Sequence, residues 1–273
     1  MIPTALSIAG SDPSGGAGIQ ADLKTFSALG VYGMCALTAL TAQNTTGVSG
    51  VHLVPPAFVA DQIRAVFADI RVGAIKIGMI ANADIASAIA DVLQDHRDVP
   101  IVLDPVMIAK GGHALLQEDA IETLKTRLLP LADILTPNLP EAARLLDQPV
   151  AQTRPQIEAQ GQALLARGPQ AVLMKGGHLE GADSPDLLIT ATETIWLESP
   201  RIQTKNTHGT GCTLSAALAA ELAKGHAPIT ATRHAKAYLS SAIAAADSLK
   251  IGHGHGPTHH FHHLWNNTPS KET

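Results

Sequence analysis

Short apolar runs alternate along the chain with longer stretches rich in alanine and leucine. The short runs predict strands, because they are brief, often β-branched and bounded by turn residues. They cover residues 4–9, 34–41, 74–78, 101–104, 134–136 and 171–174. Two further runs, 187–190 and 194–198, are spaced as a hairpin at a sheet edge.

The longer stretches predict helices, because their apolar residues recur at helical spacing. They cover residues 17–29, 56–69, 83–97, 118–128, 138–146, 154–167, 212–223 and 229–249. Strands that alternate with helices indicate βαβ crossovers. The pattern therefore predicts an α/β fold, in which a central, mostly parallel sheet is flanked by helices on both faces.

Composition narrows this picture. The chain has 273 residues, of which 45% are hydrophobic and only 3% aromatic, so we expect one large domain with a core of small aliphatic side chains. Lys and Arg number 19 against 24 Asp and Glu, a net charge of −5. This balance gives no footprint for nucleic acid. An anionic ligand must therefore be held by local cations and backbone N–H groups.

The distribution of apolar and basic residues also bears on location. No run of about 18 apolar residues is present, so no membrane-spanning helix is expected. The first basic residue is Lys24, which does not fit a secretory signal. Two cysteines, Cys35 and Cys212, are too few for a disulfide framework or a cysteine-based zinc site. We expect a cytoplasmic protein with reduced thiols.

Unusual residues follow several of the predicted strands. In open α/β sheets, ligands bind beyond the carboxyl ends of the strands. Ordinary turn chemistry explains any one of these segments, but six of them at one sheet edge favour a site. They are residues 10–18, 43–44, 104–107, 136–138, 175–178 and 206–212.

Residues 206–213, NTHGTGCT, form the most informative of these segments. Gly209, Thr210 and Gly211 allow successive N–H groups to converge, and the helix that begins there adds its positive end. This arrangement suits a phosphate. The pattern is neither G-x-G-x-x-G nor a Walker loop, so neither dinucleotide binding nor a P-loop is supported. A tight loop entering a helix is the alternative interpretation.

The two cysteines call for different interpretations. Cys212 lies at a predicted helix start, where the macrodipole favours the thiolate over an unperturbed pKa of about 8.5. A thiolate there could accept a proton from an attacking hydroxyl group. Cys35 lies within a predicted strand and is interpreted as a core residue.

Long motifs carry a resemblance to a known family. Residues 9–25, AGSDPSGGAGIQADLKT, resemble the opening signature of the bacterial hydroxymethylpyrimidine/phosphomethylpyrimidine kinases of thiamine biosynthesis. Later stretches match the same family in order: 41–45 TAQNT, 76–79 KIGM, 136–142 TPNLPEA, 174–178 MKGGH and 205–212 KNTHGTGC. The resemblance runs from residue 6 to about residue 261. It implies a ribokinase-like fold, ATP and Mg²⁺ as cofactors, and two successive phosphorylations of a small pyrimidine.

The resemblance also implies roles for residues at the acceptor site. Gln43 would recognise the pyrimidine, since a carboxamide offers one donor and one acceptor edge to an aminopyrimidine. Asp22 would hydrogen-bond the substrate on its other side. Gly10, Met79 and Val106 would form walls of the pocket. Without the neighbouring motif, Gln43 would be interpreted as a turn cap and Met79 as a core residue.

Further roles concern the phosphates. The segment from Gly209 to Cys212 would hold the transferring phosphoryl group. Asn138 and Glu141 form an N-x-x-E pattern similar to the metal-site motif of the ribokinase-like superfamily, although a helix cap would give the same spacing. Asp104 would assist the metal or a phosphate-bound water. The candidate cations for the ATP phosphates are Lys175, Lys236 and Lys205.

The sequence departs from most ribokinase-like kinases at one position. Those kinases place an aspartate as the general base after the Gly-rich turn, and this chain has Cys212, as the pyrimidine-kinase branch does. An alcohol must lose a proton in the first phosphorylation, whereas the phosphate acceptor of the second is already ionised. We therefore expect Cys212→Ala to damage the first step far more than the second.

The sequence also predicts the domain organisation and leaves alternative functions open. We expect a single kinase domain over residues 1–258, a His-rich tail over 259–273, and, from the resemblance, a homodimer. The histidines of the C-terminal region could bind metal, but solvated or packed side chains are the default. A pyridoxal or pyridoxine kinase and a catalytically silent pyrimidine-binding protein are the rival interpretations. A hydrolase that uses Cys212 and His208 is weaker, because no orienting third residue is evident.

Overall fold

A mostly parallel sheet organises the part of the chain that the computed structural model describes, residues 1–107, 117–179 and 181–265. Its strands, in their order across the sheet, are β10 Thr194–Leu197, β9 Asp186–Thr190, β8 Ala171–Met174, β7 Ile134–Leu135, β6 Ile101–Leu103, β5 Ala74–Ile77, β1 Thr4–Ala9 and β2 Tyr32–Leu37. Neighbouring strands from β2 to β8 are parallel, whereas β9 is antiparallel to both β8 and β10. Strands β3 Ala39–Asn44 and β4 Gly47–Leu53 form a separate antiparallel hairpin.

Helices cover both faces of the sheet, as the sequence predicts. The helices are α1 Gly18–Ala28, α2 Pro56–Asp69, α3 Ala83–Leu93, α4 Glu118–Thr123, α5 Leu139–Leu146, α6 Arg154–Leu165, α7 Thr210–Ala223 and α8 Pro228–Ala244. Successive strand residues point to opposite faces and so divide the core in two. Leu6 packs in the cluster that contains α2, α3, α5 and α6, whereas its neighbour Ala5 packs in the cluster of α1, α7 and α8.

Helix α7 is the element that places the functional site. It contacts α1, α8 and strands β1, β5 and β6, and its residues from Thr213 to Glu221 are buried. Alanines at positions 216, 217, 219 and 220 are completely buried, and their small side chains let the helix lie close to the sheet. The N-terminus of α7 consequently meets the carboxyl ends of the central strands.

The segment predicted as one strand over residues 34–41 is two strands. The chain changes direction at Thr38, whose hydroxyl donates a 2.7 Å hydrogen bond to the carbonyl of Met79. Beyond it, β3 leaves the main sheet and pairs with β4. The turn between them is stabilised by Asn44, whose side chain accepts from the N–H of Thr46 at 2.9 Å. The prediction was wrong here because the apolar run continues past the bend.

Other boundaries differ by less. The helix expected to start at Cys212 begins two residues earlier, at Thr210, and α8 ends at Ala244 with a short 3-10 turn after it. Helix α4 continues into one π-helical turn, residues 124–128. The predicted hairpin at the sheet edge is confirmed as β9 and β10. None of the described helices is long and apolar enough to cross a bilayer.

The C-terminal segment packs along the hairpin and the loop before α7. The N–H of His255 donates to the carbonyl of Thr45 at 3.0 Å, and the N–H of His208 donates to the carbonyl of Gly256 at 3.0 Å. A side chain at Gly254 would collide with the Thr45 carbonyl, since its Cβ would lie 2.0 Å away. His259 and His260 are buried, so the expected His-rich tail starts within packed structure.

Candidate active site

A cleft of about 390 Å³ lies at the carboxyl ends of the strands and brings most of the predicted phosphate-binding residues together. Asn138, Lys175 and Lys236 line it, and Thr210 and Gly211 of α7 form part of its wall. Lys236 donates to the Asp186 carboxylate at 2.7 Å and to the Ser184 carbonyl at 2.8 Å.

Lys205 is the predicted ATP-binding residue that lies elsewhere. It lines a different cavity, together with Asp247 and Lys250. Its ammonium therefore does not join the cations of the cleft in this structure.

The turn before α7 has the backbone that an anion site needs. Gly209 is the N-cap residue with φ 76°, in the left-handed region that favours glycine. A Cβ at Gly209 would lie 1.8 Å from the carbonyl oxygen of Gly16, so the two glycine-rich loops pack backbone to backbone. The first N–H groups of α7 have no partner within the helix by its geometry, and such a helix start is suited to binding an anion.

Lys175 and Asp104 form a buried ion pair beside this turn. Lys175 Nζ lies 2.7 Å from Asp104 Oδ1, and Thr136 and Ser215 donate hydroxyl hydrogen bonds to the same carboxylate, each at 3.2 Å. Burial alone would lower the pKa of Lys175, but the carboxylates of Asp104 and Glu141 outweigh it and raise this pKa. Burial opposes ionisation of Asp104, yet Lys175 and Lys76 lower its pKa below the usual value.

Asn138 and Glu141 form the capping box that the sequence offered as an alternative. Asn138 Oδ1 accepts from the N–H of Glu141, and Glu141 Oε2 accepts from the N–H of Asn138, both at 2.8 Å. Glu141 Oε2 is also 3.7 Å from Lys175 Nζ. Because Glu141 is buried and lies near Asp104, its pKa rises to about 7 despite the lysine.

This group of side chains fits a divalent cation. Asp104 and Glu141 are buried carboxylates that both contact Lys175, at the inner side of the cleft. Mg²⁺ prefers oxygen ligands and retains several water molecules. With its raised pKa, Glu141 is only partly ionised near neutral pH. A bound cation would lower this pKa, because it favours the charged carboxylate, and Glu141 would then be a full ligand.

Burial disfavours the thiolate form of Cys212, contrary to the expectation from its place at the helix start. Burial raises the pKa of Cys212 to about 11. Lys76 and the N–H of Gly18 act in the opposite direction but do not outweigh the loss of hydration. The macrodipole argument was wrong here because it treats the helix start as exposed to water.

Asp22, which the resemblance places beside the substrate, is enclosed among protein groups. Its side chain is fully buried and pairs with Lys76 Nζ at 2.8 and 3.0 Å, and Ser7 donates to it at 2.6 Å. Both carboxylate oxygens are therefore used inside the protein. Burial raises the pKa of Asp22 even with Lys76 beside it.

Gln43 lies on the hairpin, above the loop that precedes α7. Its Oε1 accepts from the hydroxyl of Thr41 at 3.2 Å, and its Nε2 lies 3.5 Å from His208 Nε2. His208 Nε2 in turn lies 2.7 Å from Asp12 Oδ2. The ring of His208 therefore faces Asp12 and Gln43, an arrangement unlike the Cys–His pair of a hydrolase.

The predicted pocket walls occupy neighbouring strand ends. Gly10 follows β1 and packs directly against Met79, whose side chain is buried. Val106 is half-buried in the loop after β6, just beyond Asp104. These three residues lie at the same edge of the sheet as Gln43.

Sequence reasoning assigned no role to Asp12 or Lys76 and considered His208 only for hydrolysis. Asp12 organises the first glycine-rich loop, since it accepts from the N–H of Ser14 at 2.9 Å and of Ala17 at 2.8 Å. Its contact with His208 lowers the pKa of Asp12 to about 2, although burial alone would raise it. An Asp followed by Pro, Ser and two glycines is a turn signal that could have revealed this role.

The fold and the cleft define a kinase of the ribokinase-like class: a glycine-rich helix start, two lysines and buried carboxylates meet at the carboxyl edge of a doubly wound sheet. Comparison with known sequences gives the family. The chain belongs to the phosphomethylpyrimidine kinase family, whose sequence model matches residues 12–259.

Named relatives agree with this assignment. The chain is 58% identical over 261 residues to the hydroxymethylpyrimidine/phosphomethylpyrimidine kinase of Salmonella typhimurium, covering 96% of this chain and 98% of that protein. It is 56% identical to the Escherichia coli protein of the same name, again over 96% and 98%. The expected ribokinase-like kinase fold and membership of this family are confirmed.

Solved structures of two kinds resemble the chain. Phosphomethylpyrimidine kinase from Clostridium difficile superposes with a TM-score of 0.79 at 43% identity, covering 88% of this chain and 99% of that one. Bacillus subtilis pyridoxal kinase in complex with ADP gives a TM-score of 0.88 at 37% identity, over 95% and 98%. The fold alone therefore does not separate pyrimidine from pyridoxal kinases.

Proposed function

We propose that the protein transfers the γ-phosphoryl group of ATP to 4-amino-5-hydroxymethyl-2-methylpyrimidine, and then phosphorylates the monophosphate to the diphosphate for thiamine biosynthesis. The observation that carries this proposal is the identity of 58% to a kinase named for both substrates, along almost the whole of both chains. The Gln43 side chain near the start of α7 supports a pyrimidine acceptor, because its amide matches an aminopyrimidine edge.

The donor phosphates bind in the cleft beside α7. Thr210, Gly211 and Cys212 present their N–H groups to the transferring phosphoryl group, where charge builds up in the transition state. Lys175 and Lys236 line the same cleft and neutralise the phosphate oxygens. Little covalent chemistry is required of the protein, since phosphoryl transfer depends mainly on positioning and charge neutralisation.

Asp104 and Glu141 are the residues proposed to hold Mg²⁺, directly or through water. The ion would neutralise charge on the ATP phosphates when bound. The backbone N–H of Asn138 donates to Glu141 Oε2 in the capping box, so the contribution of Asn138 to the metal site is to fix that carboxylate. Lys175 Nζ lies 2.7 Å from Asp104 and 3.7 Å from Glu141, so a cation held by these carboxylates would compete with its ammonium.

The two phosphorylations differ in what the acceptor must lose. In the first, the hydroxymethyl oxygen attacks the γ-phosphorus as the bond to the ADP leaving group breaks, and the hydroxyl proton passes to the thiolate form of Cys212, which has first lost its own proton to solvent. In the second, a phosphate oxygen attacks and no proton has to be removed. With a pKa near 11, the thiolate is a minor form of Cys212 at neutral pH, and its share grows with pH.

Pyridoxal phosphorylation is the second candidate, because Bacillus subtilis pyridoxal kinase superposes with a TM-score of 0.88. The test incubates the protein with ATP and Mg²⁺ and either the hydroxymethylpyrimidine, its monophosphate or pyridoxal. We expect both pyrimidine phosphates to form, and pyridoxal to react more slowly at equal concentration. Failure to form either pyrimidine phosphate while pyridoxal is phosphorylated would reverse the assignment.

Two further proposals follow from the family. We propose a homodimer, for which Tyr32, Leu40, Val51 and Phe58 offer exposed apolar side chains on neighbouring elements. Sedimentation velocity of the wild type and Phe58→Glu tests it, and a monomeric wild type would contradict it. We also propose that the protein works in the cytoplasm, as expected for a kinase that uses cellular ATP.

A further inference from the structure

Two histidines and a glutamate converge at the end of α7 remote from the Gly209–Cys212 turn. Glu221 lies in the last turn of α7, His226 in the loop that follows, and His234 on α8. Their ligand atoms all lie within 4.8 Å of one another. Within residues 1–107, 117–179 and 181–265, no other three side chains of His, Cys, Asp or Glu come together in this way.

The cluster combines a fixed anion with accessible rings. Glu221 Oε2 lies 2.8 Å from His234 Nδ1 and 3.4 Å from His226 Nε2. The carboxylate side chain is only 6% exposed, whereas the side chains of His226 and His234 are 40% and 52% exposed. The two rings meet edge to face, with centroids 5.1 Å apart. An ion from solution can thus reach a carboxylate that the fold already holds in place.

We propose that Glu221, His226 and His234 form a binding site for a divalent transition-metal ion such as Zn²⁺. Two imidazoles and one carboxylate are a ligand set that zinc uses, with water in a fourth position. Ligand atoms around a tetrahedral zinc lie about 3.3 Å apart, from the metal–ligand distances of about 2.0 to 2.2 Å. The 2.8 and 3.4 Å spacings are close to this value, so rotation of the exposed rings completes the site.

Metal binding requires a proton to move on His234. In its contact with Glu221, the ring uses Nδ1 as the donor of the hydrogen bond. To ligate the metal through Nδ1, the ring must leave that nitrogen unprotonated and carry its proton on Nε2. His226 offers Nε2 and leaves Nδ1 for solvent.

Lys224 supplies the main opposition to a metal. Its Nζ lies 2.6 Å from Glu221 Oε1 and partly neutralises the carboxylate. This contact also defines the competing interpretation, in which Glu221 only anchors Lys224 and the two histidines as a surface ion-pair network. Replacing Lys224 separates the two interpretations. A metal site should bind Zn²⁺ more tightly once the positive charge is gone, whereas an ion-pair network loses one contact and gains no affinity for Zn²⁺.

Isothermal titration of the full chain with ZnCl₂ tests the proposal. We expect one tight equivalent in the wild type, at least tenfold weaker binding in His226→Ala and His234→Ala, and binding a few-fold tighter in Lys224→Met. The control is the double variant His253→Ala/His255→Ala, which removes two exposed histidines of the C-terminal segment and should keep the tight equivalent. Loss of that equivalent in the control, or wild-type affinity in His226→Ala, would overturn the proposal.

Two further measurements separate ligation from a structural role. In EDTA, His226→Ala should melt close to the wild-type temperature, because the half-exposed ring makes only a 3.4 Å contact with Glu221 and an edge-to-face contact with His234. Added Zn²⁺ should raise the melting temperature of the wild type but not of His226→Ala, because an ion that binds only the folded state stabilises it. Equal shifts in both proteins would contradict the site. The readouts do not depend on kinase activity.

Discussion

The buried pair of Asp22 and Lys76 offers the sharpest test of the energetics around the site. Both side chains are completely buried, and Ser7 provides the remaining hydrogen bond to the carboxylate. Lys76→Met removes the ammonium but keeps an unbranched side chain of similar length. It leaves Asp22 as a buried carboxyl group that keeps its hydrogen bond from Ser7 but has lost its cation.

We expect this substitution to lower the free energy of unfolding by about 3–5 kcal/mol, the cost of leaving one member of a buried ion pair alone. For a chain of this size, that corresponds to a fall in melting temperature of about 10 °C. The double variant Asp22→Asn/Lys76→Met has no uncompensated charge, so it should recover at least about 2 kcal/mol of the loss.

The pH dependence of Lys76→Met has a definite sign. Without the lysine, burial raises the pKa of Asp22 further above its unfolded value. A group whose folded pKa is raised contributes stability below its unfolded pKa and loses it as pH rises through the folded pKa. The deficit of the variant should therefore be smaller at pH 5 than at pH 8.

Equilibrium unfolding in urea, followed by far-UV circular dichroism, measures all three proteins. A loss below about 1 kcal/mol in Lys76→Met, or a double variant no more stable than the single one, would refute the reasoning. Lys76 also holds the pKa of Cys212 below the value that burial alone would give. The first phosphorylation should therefore slow more than the second in variants that fold.

Four predictions concern the reaction itself. Cys212→Ala should reduce the first phosphorylation by about 100-fold or more and the second by less than tenfold, measured in single-turnover assays with each acceptor. In the wild type, the first step should accelerate between pH 7 and 9 as the thiolate share grows, while the second stays nearly flat; equal profiles would contradict proton transfer to Cys212. Gly209→Ala should lower both rates about 100-fold, because its Cβ would meet the Gly16 carbonyl and displace the phosphate-binding turn. Gln43→Leu should raise the KM for the pyrimidine with little change in the KM for ATP, measured by steady-state kinetics.

Most of the fold follows from the alternation of apolar runs along the chain. The strand residues Val102 and Leu103 lie in different halves of the core, as period-two patterning requires. The bend at Thr38 did not follow, because the bond that fixes it joins Thr38 to Met79, 41 residues away. Local pattern indicates that a strand exists but does not show which distant carbonyl ends it.

The backbone features of the site were easier to predict from the sequence than its side-chain contacts. Backbone features such as the Gly209–Cys212 turn leave a direct mark on the sequence, because glycine is required where chains approach closely. The pairing of distant side chains leaves no such mark on the sequence. Lys76 and Asp22 are 54 residues apart, and in the sequence they are two unrelated polar residues, one in a predicted strand and one in a predicted helix. Burial is the main cause that raises the pKa of Cys212, and burial is a property of the packed tertiary structure.

The contacts of residues 254–256 have a consequence for how the enzyme is made. A nascent chain synthesised only as far as α8 already contains every strand of the sheet and the Cys212 turn. It still lacks the backbone bonds from His255 to Thr45 and from His208 to Gly256, which join the hairpin that carries Gln43 to the loop before α7. The sheet can form during translation, but the acceptor side of the site is assembled only after this late segment has left the ribosome.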